Sequence, residues 1–297
     1  MSAFLFCSRN NSYFHYASES IEDLVKMVVP LFSPIVNKSI TPPFWPTHPY
    51  TEKALMKKVY IVPVKDKRKI NFLFKYPDET KYYKAGPGYY LSHLIGHEGK
   101  GSLLSELKER GLSSNLVAYF DCTDGFGFFN ISIDLSQDGL NRLDELARIV
   151  FQYIALLKSS GPKEYVFEEN KRLGYIKFNF MDKQNPCDFV SRLTPVMQYY
   201  PFEDVLSANI LIDQYKPELI SEMLSYLKPE NCTIAVWSKS YEGKTDMKER
   251  YFGTEYKVED FSPEFIAQLQ NPGTNDKLSF PKPNQFIPTD FELEIGR

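Results

Sequence analysis

YYLSHLIGHEGKGSLLSELK, residues 89–108, is the stretch on which the reading of the fold turns. It closes a helix that the pattern places over 82–95, around Gly86, Pro87 and Gly88. The chain then turns through glycine-rich 96–101, and Ser102 caps a second helix that stops at Gly111. Upstream, 58–64 (KVYIVPV) and 70–76 (INFLFKY) read as strands joined by the charged turn 65–69, KDKRK. A phosphate or polyanion contact is one use for that turn, and a solvated hairpin tip is the reading adopted. Downstream, 115–120 and 125–135 resemble a hairpin about 121–125. Phe129, Ile131, Ile133 and Leu135 alternate there with Phe126, Phe128, Asn130, Ser132 and Asp134. Helices intercalated among such strands make the class α+β.

Helical patterns follow from Leu140 to Leu157, 163–181, 189–199, 203–213 and 217–227. A strand is expected at 231–238, another at 254–258, and a short helix at 263–270. At the other end, Ser20 and Asp23 suit a capping box before Ile21, Leu24, Val25, Val28, Leu31 and Phe32, with Pro34 ending that helix. Residues 41–49, TPPFWPTHP, read as an extended linker and the main boundary. The division expected is therefore 1–42, 43–270 and a connector over 271–297.

Composition narrows the function. Hydrophobic residues at 43% and charged residues at 25% suit a folded core, and the net charge of −3 comes without a basic block, so no nucleic-acid partner is expected. The 23 Phe and 20 Tyr are read as core packing ahead of an aromatic-lined peptide cleft. Cys7, Cys122, Cys187 and Cys232 form no CxxC pair, which points to reduced thiols. No run reaches the roughly 18 apolar residues of a membrane span, and the N-terminus lacks a signal pattern. The expectation is a cytoplasmic protein without a membrane partner.

Candidate chemistry centres on His93 and His97, which would share a helix face as two metal ligands do. The only nearby glutamate, Glu98, follows the second histidine and lies about 140° around from the first at helical spacing, away from where a general base stands. Gly96 inside the ligand helix adds a cost of about 1 kcal/mol. A metal site is therefore set aside, leaving a structural glycine turn and a ligand-capturing loop both open. Gly99, Lys100, Gly101 and Ser102 fail the phosphate-loop pattern, since Leu94 holds the first glycine position and Gly101 the hydroxyl position. The acid pairs Glu168 with Glu169 and Glu203 with Asp204 read as solvated faces, no GxSxG elbow occurs, and no residue is assigned a catalytic role.

Residues 89–108, with FQYI at 151–154, GPKEYVF at 161–167, KPEN at 228–231, SKSYEGKTD at 238–246 and FIPTDF at 286–291, resemble the second domain of the pitrilysin (inverzincin) family of zinc metallopeptidases, which includes insulin-degrading peptidases. The resemblance covers nearly the whole chain from about Ser18. It implies a pitrilysin-type, LuxS/metallohydrolase-like domain, with a mixed, mostly antiparallel sheet packed against helices. It also implies that 1–42 is the end of a first, catalytic-type domain, 43–270 a second, non-catalytic domain, and 271–297 a connector toward a C-terminal half. The family's HxxEH zinc motif is not in this sequence, so no metal ligands and no cofactor are expected on this chain. What carries over is the family's exosite, a surface that anchors a substrate's N-terminal end. Its positions here are His93, Gly96, Glu98, Gly99, Leu116, Val117 and Ala118. Ala118, Tyr119 and Phe120 depart from the family's glycine-rich pattern, and Lys100 stands where the family has proline. The partners implied are insulin-like and amyloidogenic peptides, or a full-length family member. The function implied is a truncated, non-catalytic peptide-binding or regulatory module, or else part of an active metalloendopeptidase whose catalytic residues lie on a longer chain.

Overall fold

The alternation at 70–76 is realised strictly: Ile70, Phe72, Phe74 and Tyr76 are buried on one face of their strand. The computed structural model describes residues 2–8, 11–17, 19–36 and 43–291. In chain order the strands are β1 Ser2–Ser8, β2 Asn11–Ala17, β3 Lys57–Ile61, β4 Lys69–Tyr76, β5 Ser113–Thr123, β6 Phe126–Leu135, β7 Cys232–Trp237, β8 Met247–Lys248 and β9 Glu255–Asp260. The helices are α1 Ile21–Phe32, α2 Pro87–Ile95, α3 Leu103–Glu109, α4 Gln137–Asn141, α5 Leu143–Ser160, α6 Glu164–Asn179, α7 Pro186–Tyr199, α8 Pro217–Ser225 and α9 Pro263–Gln270. The chain divides into two compact units, 1–44 with 171–213 and 45–170 with 214–297. The first boundary, between Phe44 and Trp45, falls within the proline-rich stretch 41–49. Within the first of these units, residues 171–213 cluster with the N-terminal segment.

The larger unit is built on a seven-stranded sheet in the order β5-β6-β4-β7-β3-β9-β8, mixed but mostly antiparallel. The expected hairpin of β3 with β4 does not form. Strand β7 lies between them, parallel to β3 and antiparallel to β4. It can take that place because Cys232, Ile234 and Val236 are apolar on the buried face, meeting Phe74, Phe72 and Ile70 in register. The loop 65–68 is exposed as expected, but it connects strands that do not pair. On the other side of β4, Phe129, Ile131 and Ile133 are buried opposite Phe74, Phe72 and Ile70. Phe151 of α5 meets Phe72 and Phe74 with ring centroids 6.4 and 6.1 Å away, so α5 covers this face.

Local signals set the helix ends. Ser102 accepts the Ser105 N–H at 3.1 Å, and Gly111, at φ +70°, ends the turn after α3. The helix expected across 82–95 begins only at Pro87, because Gly86 takes a left-handed conformation and residues 80–82 form a single 3-10 turn. The run beginning at Leu140 is broken at Arg142 into α4 and α5. Residues 271–291 carry no regular element, yet they are anchored: Gln152 donates to the Pro272 carbonyl at 2.9 Å, Tyr165 to Pro281 at 2.6 Å, and Leu278 and Ile287 are buried.

In the smaller unit β1 and β2 pair antiparallel, strands the sequence reading did not anticipate. Ser20 accepts the Asp23 N–H at 3.2 Å and starts α1 as expected, burying Leu24 and Val28. The helix expected over 203–213 is reduced to a 3-10 turn at Phe202–Asp204 followed by further turns. Leu193, Val196 and Val205 form the core that this segment covers. No helix among the described residues is long and apolar enough to cross a membrane.

Because Phe72 is fully buried between β6, β7 and α5, Phe72→Ala is expected to cost about 3–5 kcal/mol, read as a lower urea midpoint. Val64→Ala, exposed in the loop after β3, is expected to stay within about 0.5 kcal/mol of the wild type.

Candidate functional site

Among the described residues strand β5 pairs with β6 alone and forms an edge of the sheet. Its 11 residues contain no Lys and no Pro, the residues that commonly blunt such an edge. Leu116 points inward and is 3% exposed, whereas Val117 and Tyr119 are exposed and Ala118 is half-buried. A ligand can therefore meet Leu116 only through its backbone.

Helix α2 packs against this strand, where Gly88 leaves room for Phe120 and Gly96 lets the helix's last turn close. A Cβ on Gly88 would come within 2.6 Å of Phe120 Cδ1. One on Gly96 would come within 2.8 Å of the Ser92 carbonyl and 3.7 Å of Ala118 N. Tyr89 meets Phe120 edge to face at 5.2 Å. The helix is anchored at both ends. Tyr153 donates to the Leu94 carbonyl at 3.0 Å, while Tyr90 accepts the Lys163 N–H at 2.7 Å. At the N-terminus the buried Glu79 carboxylate accepts Gly88 N–H and Tyr76 O–H, each at 3.0 Å. Burial pushes the Glu79 carboxyl up to about 7; the two hydrogen bonds oppose that shift and Asp78 adds to it.

The C-terminal turn of α2 brings the sequence-identified positions together. His93 lies in the last turn and Gly96 caps it, opposite Ala118. His93 and His97 stand with ring centroids 6.0 Å apart. Burial lowers the His93 pKa, His97 lowers it further, and Glu169 opposes, so the ring is neutral at pH 7. His97 Nδ1 accepts Gly99 N–H at 3.0 Å, which puts the proton of the neutral ring on Nε2. Glu98, Gly99 and Lys100 are exposed, and the Glu98 carboxylate has no hydrogen-bond or ion-pair partner among the described residues. Sequence reasoning did not single out Glu79, because nothing in the local pattern shows that a carboxylate between Asp78 and Thr80 will be buried. Nor did it connect Glu169 with His93, which are 76 residues apart in the chain and share no motif.

These residues do not fit zinc. The His97 nitrogen with a free lone pair is already engaged by Gly99, and among the described residues no three His, Cys, Asp or Glu side chains converge. His48 is buried and satisfied, its Nδ1 accepting Tyr50 N–H at 3.0 Å and its Nε2 facing the Gly127 carbonyl at 2.8 Å. Burial raises the Cys122 thiol to about 12, which removes it as a nucleophile at neutral pH.

Two family models match the chain. The peptidase M16 inactive domain covers residues 6–173, and the middle or third domain of peptidase M16 covers 178–296. Insulin-degrading enzyme from Homo sapiens is 45% identical over 276 residues, which are 93% of this chain and 27% of that protein. The Drosophila melanogaster enzyme of that name is 41% identical, over 93% of this chain and 28% of its own length. Nardilysin from Homo sapiens is 33% identical, over 94% and 25%. The chain thus spans about a quarter of the length of these relatives, 25–28%. The crystal structure of pitrilysin superposes with a TM-score of 0.87 at 25% identity, covering 94% of this chain and 30% of that one.

Glu79 gives a pH signature. Its carboxyl is raised from 4.5 to about 7, so the uncharged form favours the fold. That stabilisation is complete below about pH 4.5 and is lost as pH rises through 7. Urea midpoints of the wild type are expected to fall across this window. Glu79→Gln should flatten the dependence and raise stability at pH 8 by on the order of 2–3 kcal/mol. Parallel pH curves for the two proteins would contradict this assignment.

Proposed function

The chain belongs to the peptidase M16 family, and on that premise we propose that it anchors the N-terminal end of an extended peptide between α2 and β5 without cutting it. The observation that carries this reading is the open edge of β5 lying beside the turn from Gly96 to Lys100. An incoming peptide adds a strand to β5 through its backbone, and Val117 and Tyr119 lie on the exposed face of that edge. The peptide's ammonium group meets the unpartnered Glu98 carboxylate. Neutral His93 adds no opposing charge. Lys100 does, and it narrows the preference toward peptides whose second residue is acidic. Relatives named for the degradation of insulin make insulin-like peptides the natural probes. The unpaired Cys122, Cys187 and Cys232 suit a reducing compartment such as the cytoplasm.

A second reading has one observation in its favour: relatives about four times as long, of which this chain covers 27%. In that reading the groove serves a longer zinc peptidase whose catalytic residues lie on other segments, or pairs with a full-length family member. Zinc analysis and peptide cleavage separate the two. Tightly bound zinc with chelator-sensitive cleavage by this chain would refute the non-catalytic reading.

Calorimetry with insulin B chain is expected to show saturable binding without cleavage. Acetylating the peptide's N-terminus, or introducing Glu98→Gln, should each weaken it by about tenfold, the loss of one charge-assisted hydrogen bond. Equal affinity for the free and acetylated peptides would sink the proposal.

A further inference from the structure

The smaller unit contains a cavity of about 360 Å³ lined by the end of α6, the turn 180–185, α7 and Leu206. Its apolar walls include Phe178, Met181, Phe189 and Leu206. Phe189 also packs on the small core of Leu193, Val196 and Val205, so one wall is fixed from beneath. The turn that shapes the cavity is fixed locally. Asn185 accepts the Cys187 N–H at 2.9 Å and, with Pro186, starts α7.

Two cations, Lys183 and Arg192, line the same cavity. Arg192 sits 5.6 Å from the Phe189 ring centroid, and one of its terminal nitrogens donates to the Gln184 amide oxygen at 3.0 Å. Gln184 is held in turn by Met181 Sδ, also at 3.0 Å. Neither Arg192 nor Lys183 has a carboxylate partner among the described residues, and Asp182 leaves the three groups with one net positive charge. The guanidinium is therefore oriented by a neutral amide, with donors to spare beside an apolar wall.

We propose that this cavity binds an amphipathic monocarboxylate, with the carboxylate on Arg192 and Lys183 and the hydrocarbon tail against Phe178, Met181, Phe189 and Leu206. A planar guanidinium with free donors matches a carboxylate edge. The apolar walls disfavour a phosphorylated or polyhydroxylated ligand, whose polar groups would be left unpaired. The volume suits a tail of roughly eight to ten carbons, at the lower end of small-molecule sites. This site shares no residue with the groove at β5 and does not rest on the peptide-anchoring proposal.

The test is calorimetry of the full chain with sodium decanoate at pH 8, with decanol as the uncharged control. Saturable binding to one site is expected, at least about tenfold weaker for decanol and for Arg192→Gln, the loss of one charge-assisted contact. Leu206→Trp, which fills the cavity from an exposed position, is expected to abolish it. Absence of saturable binding, equal affinity for decanol, or unchanged affinity in Leu206→Trp overturns the proposal. Should Arg192→Gln lose the far-UV circular dichroism of the wild type, Lys183→Gln replaces it, since Lys183 is exposed and bonded to nothing described. A severalfold weakening by Lys183→Gln supports the site and unchanged affinity rejects it.

Discussion

The close approach of α2 to β5 is the constraint on which the rest of the site depends. A side chain at position 88 would run into Phe120 of the strand, and one at position 96 into the Ser92 carbonyl of the helix's own last turn, so glycine at both lets α2 close its C-terminal turn against β5. Glu79 then ties the helix N-terminus to Tyr76 at the end of β4, while Tyr153 holds its C-terminus. The turn that carries His93, Gly96, Glu98 and Gly99 is fixed by these contacts, which lie outside the turn itself. A positioned turn beside an edge strand is what a peptide-anchoring surface requires.

The same turn sets the histidine pair in an arrangement that does not suit zinc. Gly99 N–H occupies His97 Nδ1, and among the described residues no three His, Cys, Asp or Glu side chains converge. Membership of a peptidase family is a statement about fold and ancestry; chemistry has to be read from the side chains present. Here they provide an exposed carboxylate, an open strand edge and a neutral imidazole, the groups on which the proposed peptide anchoring rests.

Much of this was legible in the sequence where the signal is local. The Ser102 and Ser20 caps, the alternation of 129–135 and the turn at Gly111 all follow from adjacent residues. Pairing between distant segments was not legible. Nothing within 58–76 reveals that a strand some 160 residues later will separate β3 from β4, because the partner's apolar face is equally suited to either neighbour. The helix expected over 203–213 gave way to turns that cover the core of Leu193, Val196 and Val205, a tertiary demand that overrides helical periodicity. The burial of Glu79 likewise depends on Gly88, whose N–H reaches it from α2.

Amide hydrogen exchange along β5, with and without saturating insulin B chain, tests strand addition most directly. Alternate amides within 115–121, those on the open edge, are expected to slow by at least about tenfold while amides of β4 and β7 are unchanged. Saturated binding with unaltered exchange along β5 would contradict it.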